Sequence, residues 1–366
     1  METRHREISR CVTNQARKVL IYRLGSLGDT VVALPCFHLV ARSFPEAERR
    51  VLTNVPVDSR APALSSVLDG SGLVHSYFSY PIGTRAVDRL ARLRRGIGNW
   101  RPDVVVYLTA RASLAQVLRD VLFFRAAGVR KIVGLPWSRD IRTNRWIPHD
   151  GGYFEPEASR LARALSPLGD ARLAEPANWD LILTDAEKSK ADEVLGLGRT
   201  PFLACSVGTK VEVKDWGVPR WRELLSRLGR RYRTLPLVMV GSSEEAHLSE
   251  AAARGWSGHV LNLCGRLTPR ETAAVLARSV AFIGHDSGPM HLAAAAGVPC
   301  TAVFSARAHP RIWYPWGDDH RVVQHSVPCQ GCRLEKCVSN QKKCINSITV
   351  DEVEMAARAM LEEVLN

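Results

Sequence analysis

Strand-like apolar runs alternate with helix-like stretches along most of this chain, and this alternation constrains the fold more than any other feature. Short continuous apolar runs are typical of strands that are buried on both faces. Helices between such strands predict parallel sheets with helices on both sides. The predicted strands are Val19–Tyr22, Val51–Thr53, Val104–Leu108, Lys131–Gly134, Phe202–Ser206, Leu237–Val240, Ala281–Gly284 and Thr301–Phe304. The expected fold class is therefore α/β with doubly wound parallel sheets.

The chain length of 366 residues favours two hydrophobic cores over one. The Pro- and Gly-containing stretch 166–178 separates two series of predicted strands and is the expected linker. We therefore predict two Rossmann-like domains that face a cleft, residues 1–175 and residues 176–349. The C-terminal segment 350–366 is expected to form a helix that packs back on the N-terminal domain.

The segment from Ile283 to Leu292 predicts the end of a buried strand, a tight turn and an Ala-rich helix. The first N–H groups of a helix lack intrahelical partners and carry partial positive charge, so a phosphate can bind them. Gly288 would allow close approach of the backbone, and Pro289 suits the first helical turn. Asp286 would repel a phosphate directly and is better suited to capping the helix or orienting N–H groups. A capped helix without a ligand is the alternative.

Basic residues outnumber acidic ones by 50 to 37, and the resulting net charge of +13 favours anionic partners. Part of this excess lies in one stretch with interleaved aliphatic residues, a pattern typical of a basic amphipathic helix at a membrane surface. Its arginines are Arg85, Arg89, Arg92, Arg94, Arg95 and Arg101. A solvated helix that covers a sheet is the alternative. No signature of a nucleic-acid-binding module accompanies the charge.

The N-terminal segment 1–18 is polar and lacks the apolar core of a secretory signal. The longest uncharged run, 287–306, is interrupted by Pro289, Gly297 and Pro299, so no membrane-spanning segment is expected. Cytoplasmic residence is the default expectation, with a peripheral position on the inner face of the membrane as a further hypothesis.

Glycine-bearing turns follow the first predicted strand of each half, at Leu24–Asp29 and at Val207–Lys210. Ligands of doubly wound sheets bind beyond the carboxyl ends of such strands. The first turn is not a GxGxxG fingerprint, because Arg23 stands at the first glycine position, and no acidic residue follows the second strand promptly. A nicotinamide-dependent dehydrogenase is therefore disfavoured.

Three motifs, in their order and spacing, resemble one family over roughly residues 17–360. They are Leu24–Asp29, Lys214–Trp216 with Pro219 and Trp221, and Asp286–His291. The chain is similar to the ADP-heptose:lipopolysaccharide heptosyltransferases and their relatives, glycosyltransferase family 9. The resemblance implies a GT-B fold, inversion at the anomeric carbon, a nucleotide-sugar donor bound mainly by the C-terminal domain, and an acceptor bound mainly by the N-terminal domain.

Inverting transfer requires a base that takes the proton of the acceptor hydroxyl as it attacks the anomeric carbon, and one carboxylate is enough. Asp29 matches the base proposed for the family. It ends a loop whose Gly25, Ser26 and Gly28 are expected on the acceptor side. The alternative is that Asp29 is an acid in the first turn of a helix, favoured there by the helix dipole.

The departing diphosphate requires donors or positive charge that are already in place. No Asp-x-Asp pair occurs in the sequence, so catalysis is expected to need no metal or other cofactor. Lys214 matches the family's phosphate-contacting lysine, and Thr209 and Lys210 could add donors. Ordinary surface lysines are the alternative for Lys210 and Lys214.

The resemblance also places an acidic residue near the ribose hydroxyls, within the stretch Ser242–Glu245, and a helix-terminal acid is the alternative there. His291 could donate to a phosphate oxygen or bond a neighbouring loop. The remaining donor-binding residues are expected to be Glu244, Asp286, Ser287, Gly288, Pro289, Met290 and His291.

Four of the nine cysteines lie within sixteen residues, namely Cys329, Cys332, Cys337 and Cys344. Four thiolates so close in sequence could form a tetrahedral zinc or iron site, although only the CxxC spacing is typical of one. Reduced thiols and two disulfides are the alternatives. A metal held by four protein ligands would be structural, because no coordination position stays open for catalysis.

The sequence thus predicts an inverting, metal-independent glycosyltransferase that moves a heptose or a related sugar from ADP or another nucleotide diphosphate to a hydroxyl of a lipopolysaccharide-type, lipid-linked or other surface glycan. The alternatives are a GT-B transferase that uses a UDP-sugar or a protein acceptor, and a catalytically silent module that binds nucleotide sugars or glycans. Contact with an anionic inner membrane fits the basic charge, whereas nucleic acid is not an expected partner.

Overall fold

The computed structural model of the protein describes residues 16–55, 62–81, 86–109, 113–149 and 152–365. The chain divides into two compact units. The first unit consists of Met1–Ile147 and Glu155–Ile182, and the second of Pro148–Phe154 and Leu183–Asn366.

The first unit is built on one five-stranded parallel sheet. Its strands are β1 Lys18–Tyr22, β2 Glu48–Val55, β3 Ser76–Pro81, β4 Val104–Tyr107 and β5 Ile132–Val133, in the spatial order β3-β2-β1-β4-β5. Its helices are α1 Leu27–Val32, α2 Leu34–Ser43, α3 Ser65–Leu68, α4 Val87–Trp100, α5 Leu114–Ala126, α6 Arg139–Arg142 and α7 Glu157–Ala164. Short 3₁₀ turns follow at Ser166–Leu168 and Pro176–Asn178, and the short strand β6 Trp146–Ile147 also belongs to this unit, whereas β7 Tyr153–Phe154 belongs to the second.

The second unit is built on one six-stranded sheet, and its strand pairs are parallel. Its strands are β8 Leu203–Ser206, β9 Leu237–Met239, β10 Val260–Asn262, β11 Ala281–His285, β12 Cys300–Phe304 and β13 Arg321–Gln324, in the spatial order β10-β9-β8-β11-β12-β13. Its helices are α8 Asp185–Leu195, α9 Val218–Arg231, α10 Ala246–Ala253, α11 Pro269–Leu276, α12 Gly288–Ala295, α13 Lys343–Asn346 and α14 Val350–Leu365, with 3₁₀ turns at Glu212–Lys214 and Ser243–Glu245.

Central strands of both sheets confirm the predicted α/β class. Strands β8, β11 and β12 are buried along their whole length, as expected for parallel strands covered on both faces. The edge strands β3, β10 and β13 were not expected from the sequence. Their residues are mostly half-buried, so they lack the continuous apolar run that identifies a central strand.

The stretch 166–178 differs from a free linker. Asn178 is buried, its amide donates to the Arg172 carbonyl at 3.1 Å, and Trp179 Nε1 donates to the Leu173 carbonyl at 2.9 Å. Arg42 of α2 donates to the Asn178 side-chain oxygen and to the Asp170 carbonyl at 3.2 Å, so the stretch is tied to the first unit, and the division between units falls after Ile182.

The C-terminal helix α14 packs on the sheet of the second unit. Val353, Ala357, Met360 and Leu361 are buried in the core of the second unit. These residues recur at helical spacing, so the apolar face of the amphipathic helix is covered by the sheet of its own unit.

Candidate active site

The carboxyl ends of neighbouring parallel strands meet at one edge of a sheet, and this edge of the second unit gathers most of the predicted donor-binding residues. Strands β8 and β11 are direct neighbours, with Ser206 opposite Gly284, and β12 lies on the other side of β11. The loops after β8 and β11 therefore lie side by side. The glycine is required at this point, since a Cβ on Gly284 would lie 2.8 Å from the Ser206 carbonyl oxygen.

Helix α12 begins directly behind this edge. Ser287 precedes it with extended backbone, but its hydroxyl does not cap the helix. Gly288 and Pro289 form the first turn and are half-buried, whereas the Met290 side chain is fully buried in the core. The Met290 side chain therefore packs in the core and does not face a ligand, and only its backbone belongs to the first turn of the helix. His291 is also buried, at 5% exposure.

Three serine hydroxyls at this edge are buried without a hydrogen-bond partner among the described residues. They are Ser206 at the end of β8, Ser287 before α12 and Ser305 directly after β12. An unsatisfied buried hydroxyl costs about 1–3 kcal/mol, so such groups are uncommon in folded proteins unless water or a ligand completes them. Other described side chains, such as Thr53 and Tyr232, also have buried polar atoms without a partner, so the three hydroxyls add polar groups at the ends of β8, β11 and β12 but do not by themselves define a ligand.

Lys214 joins the loops after β8 and β11. Its ammonium lies 2.7 Å from Asp286 Oδ2 and donates to the Asp286 backbone carbonyl at 3.0 Å. The two side chains are 17% and 7% exposed, so the pair is largely shielded from water. An ammonium has three N–H donors, and two are used here, which leaves one for a ligand. The pairing also explains how Asp286 is tolerated beside an anion site, because Lys214 balances its charge.

His285, the last residue of β11, holds the loop that carries Lys214. The sequence motifs did not predict this role. Its Nε2 accepts hydrogen bonds from the Trp216 backbone N–H at 3.0 Å and from Trp221 Nε1 at 3.2 Å. Both bonds require a neutral ring with its proton on Nδ1. Burial lowers the pKa of His285 to about 4, against the opposing effect of Asp215. The tryptophans of the motif are therefore structural: they fix the loop that carries Lys214.

A shift from pH 7 to pH 5 is expected to destabilise the second unit through His285. The unfolded histidine has a pKa of about 6.5, so between that value and about 4 the unfolded chain binds more protons and stability falls as the pH falls. The expected loss is about 2 kcal/mol between pH 7 and pH 5. Urea unfolding followed by tryptophan fluorescence should show this loss in the wild-type protein and a smaller one in His285→Gln, which keeps an acceptor but does not titrate. Equal pH dependence in both proteins would contradict the role of His285.

The other predicted donor-side residues differ in their positions. Thr209 is half-buried, and its hydroxyl accepts from the Val211 N–H at 3.3 Å, whereas Lys210 is exposed. Glu244 is exposed as well, while its neighbour Glu245 covers the edge of the sheet. A Cβ on Gly208 would collide with the Glu245 carboxylate, and the same carboxylate lies over Gly241. The structure thus places Glu245, rather than Glu244, at the carboxyl ends of β8 and β9.

The predicted base lies at the corresponding edge of the first unit. Asp29 Oδ2 accepts from the Ser26 backbone N–H at 2.8 Å and from the Ser26 hydroxyl at 2.9 Å. Among the described residues, no donor reaches Oδ1. Gly25 has a φ of +132°, and a Cβ there would lie 2.5 Å from the Asp29 Cβ. Asp29 is therefore half-buried beneath Gly25, and the hydrogen bonds to its Oδ2 fix the orientation of the carboxylate. Gly28 forms part of the first turn of α1.

Arg23 supports this loop from within the first unit. The side chain is 3% exposed and donates to the backbone carbonyls of Leu108, at 3.1 Å, and Asp29. Burial lowers its pKa, against the opposing effects of Asp29 and Glu157. The residue that replaces the first glycine of a dinucleotide fingerprint thus holds the backbone of the predicted base in position.

Comparison with known proteins identifies the family. The sequence profile of glycosyltransferase family 9 (heptosyltransferase) matches residues 91–343. The chain belongs to glycosyltransferase family 9. It is 26% identical over 354 residues to lipopolysaccharide heptosyltransferase 3 of Escherichia coli strain K12. The alignment covers 92% of this chain and 96% of that relative. The resemblance drawn from the three motifs is therefore confirmed, and the protein is a glycosyltransferase.

Solved structures of the family agree with the fold. The family 9 glycosyltransferase of Veillonella parvula superposes with a TM-score of 0.70 at 18% identity, over 95% of this chain and 98% of that chain. The E. coli heptosyltransferase WaaC, solved with ADP, superposes with a TM-score of 0.62 at 16% identity, over 94% and 99% of the two chains. The GT-B fold predicted for this glycosyltransferase is confirmed.

The cysteine segment of the glycosyltransferase does not assemble the predicted four-thiolate site. Within the described ranges, no group of three or more His, Cys, Asp or Glu side chains is arranged to hold a metal ion, and Cys329, Cys332, Cys337 and Cys344 are free thiols. Burial raises the pKa of the Cys344 thiol, and the nearby Cys329 and Cys332 raise it further. The described residues thus show neither the disulfides nor the four-thiolate arrangement that the sequence spacing allowed.

The same segment supports the donor-side loop instead. The Lys342 ammonium donates to the Asp215 carbonyl at 3.1 Å and lies 3.3 Å from Glu212 Oε1, and the Val213 N–H donates to the Glu335 carbonyl at 3.1 Å. These contacts hold the 3₁₀ turn that ends at Lys214. In the part of the family 9 enzyme that the structure describes, no helix is long and apolar enough to cross a membrane.

Proposed function

We propose that this enzyme transfers a heptose from ADP-heptose, with inversion, to a hydroxyl of a lipopolysaccharide-type glycan. Membership of the heptosyltransferase family, a relative named lipopolysaccharide heptosyltransferase 3 and a structural neighbour solved with ADP support this assignment. The observation that carries it is the Lys214–Asp286 pair, which holds an ammonium with one remaining N–H donor close to the start of α12.

The donor diphosphate is assigned to the second unit. The N–H groups of Gly288 and the following residues, the Ser287 hydroxyl and the remaining Lys214 donor would bind its oxygens. These groups are held in place before the reaction, so they can stabilise the charge that develops as ADP leaves. Glu245 is the better candidate for the ribose hydroxyls, because it lies at the edge of the sheet where Glu244 is exposed. Thr209 and His291 remain candidate donors beside the phosphates, and Lys210 is assigned no contact.

The base is assigned to Asp29 in the first unit. As the acceptor oxygen forms a bond to the anomeric carbon, its proton passes to the Asp29 carboxylate, and the bond from that carbon to the diphosphate oxygen breaks on the opposite face. The attack on one face with departure from the other inverts the configuration. Gly25, Ser26 and Gly28 would lie beside the acceptor, since they shape the loop around this carboxylate.

The acceptor of such an enzyme is anchored in a membrane, so the proposal includes a peripheral position on the cytoplasmic face of the inner membrane. The net charge of +13 supports it, because that face carries anionic lipids. Domain roles follow the family pattern: the first unit serves the acceptor and the second the donor.

A panel of nucleotide sugars tests the donor assignment. We expect slow hydrolytic release of ADP from ADP-heptose, less from ADP-glucose and none from UDP-sugars, measured by mass spectrometry with the purified full chain. The Lys210→Ala variant should behave as the wild-type protein, because this side chain is exposed. Turnover of a UDP-sugar in preference to ADP-heptose would overturn the donor assignment. The proposed activity would be overturned if ADP-heptose bound but was not turned over, even when a heptose-deficient lipopolysaccharide acceptor was present.

A further inference from the structure

The outward face of α5 carries leucines where a solvated helix would carry polar residues. Leu114, Leu118 and Leu122 recur at intervals of four and are 48%, 51% and 60% exposed. The exposed positions between them are Ala115 and Arg119, with Arg125 and Ala126 in the last turn. One stripe of α5 is therefore apolar and exposed to solvent.

No acidic side chain interrupts this face. Asp120, the single acidic residue of α5, is buried and accepts a hydrogen bond from the Tyr107 hydroxyl at 2.7 Å. Its Oδ1 also forms an ion pair with Arg119 Nη2 at 2.8 Å. A surface helix selected only for solubility would carry mixed charges on its outer face, so the combination of leucine and arginine requires another reason.

Helix α4 lies beside α5 and extends the surface. Arg94 Nη1 donates to the Ala126 carbonyl at 3.1 Å, which ties α4 to the end of α5. Ile97 and Trp100 face the core beneath, together with Phe124 of α5. Helix α4 therefore combines the two alternatives given for this stretch: it has the basic amphipathic pattern, and it covers the sheet of its own unit.

The outward side of α4 is strongly basic. Its exposed arginines are Arg89, Arg92, Arg94 and Arg95. Asp88, the one acidic residue of α4, pairs with Arg92 at 2.9 Å, and Val87 at the start of the helix is 80% exposed. Arg85 of the predicted stretch lies outside the described residues. We call the exposed residues of the two helices the α4–α5 surface: its leucines lie on α5, its arginines lie on α4, and the Arg94–Ala126 hydrogen bond joins the two helices.

We propose that the α4–α5 surface docks on a bilayer that contains anionic phospholipid. Leucines of α5 would enter the boundary between headgroups and acyl chains, and the arginines of α4 would lie among the phosphates, the arrangement by which amphipathic helices bind membranes. A second copy of this chain is disfavoured as the occupant, because a two-fold contact would bring the same arginines together. The inference rests on the proposed function only in expecting a membrane-anchored acceptor.

Vesicle sedimentation with the full chain tests this surface. The wild-type protein should bind vesicles of phosphatidylethanolamine and phosphatidylglycerol. It should bind vesicles of phosphatidylcholine alone much more weakly. Leu114→Gln, Leu118→Gln and Leu122→Gln together should weaken binding at least about tenfold, since three partly inserted side chains are lost. Arg89→Gln, Arg92→Gln and Arg95→Gln together should weaken it by about 100-fold, and added salt should weaken the wild-type binding in the same direction.

Matched controls lie on the second unit. Arg222→Gln with Arg230→Gln removes exposed helix arginines, and Met355→Gln removes a side chain that is 70% exposed; both variants should bind vesicles as the wild type does. Release of ADP from soluble ADP-heptose should be unchanged in every surface variant, so failure of docking is distinguishable from failure of the proposed function. Equal loss in the controls, binding independent of lipid charge, or a leucine-dependent dimer in light scattering would each overturn the proposal.

Discussion

Replacing Asp29 with asparagine is expected to lower kcat for transfer by about 10²–10⁴-fold, the usual contribution of a general base. Asparagine has nearly the same shape and keeps an oxygen for the Ser26 N–H, which Asp29 Oδ2 accepts at 2.8 Å. The loop should therefore stay folded while the proton acceptor is lost. The measurement is single-turnover transfer from ADP-heptose, together with the Kd for the donor by calorimetry, which we expect to change less than about threefold because the donor is assigned to the other unit.

Ser26→Ala is the matched control for Asp29. It removes the 2.9 Å bond between the serine hydroxyl and the carboxylate but leaves the base itself. We expect a loss of stability of about 1 kcal/mol from the weakened helix cap and a small loss of kcat. If Asp29→Asn and Ser26→Ala reduced kcat equally, the carboxylate would be a helix acid only, and the assignment of the base would be wrong.

Replacing Lys214 with methionine is expected to lower transfer by about 10²–10³-fold, comparable with the loss of one preorganised donor. It also leaves the Asp286 carboxylate, which is 7% exposed, without its cation. An uncompensated buried carboxylate costs on the order of 3 kcal/mol and repels the diphosphate. Stability should therefore fall, and the Kd for ADP should rise together with the loss of kcat, as measured by urea unfolding and calorimetry.

A double variant separates the two effects of Lys214. Lys214→Met with Asp286→Asn removes both charges, so much of the lost stability should return, while transfer stays low because the phosphate donor is still absent. Lys210→Ala, four residues away on an exposed side chain, should match the wild-type enzyme in both measurements. Recovery of transfer in the double variant would show that Lys214 serves only to neutralise Asp286.

Central strands were predictable because burial on both faces leaves a direct trace in the sequence. The runs at Val19–Tyr22 and Ala281–Gly284 are almost purely apolar, and both are central strands. Edge strand Ser76–Pro81 is mostly half-buried and mixes polar with aromatic residues, so its sequence lacks the continuous apolar run of a central strand. The C-terminal helix was predictable as a helix, but its amphipathic face fits any apolar surface, and the sequence contains no signal for which sheet it covers.

The sequence alone determined the family and the chemistry on offer: a carboxylate behind a glycine loop, a lysine in mid-chain and a helix that begins after Asp286-Ser287. Such patterns are local, since glycine, helix caps and apolar runs act through near neighbours. Tertiary structure decided the partners. It paired Lys214 with Asp286, 72 residues apart, and placed Glu245 over the edge of the sheet. These contacts join segments that are distant in sequence, and they form because a buried charge or hydroxyl must find a partner in whichever strands packing brings beside it.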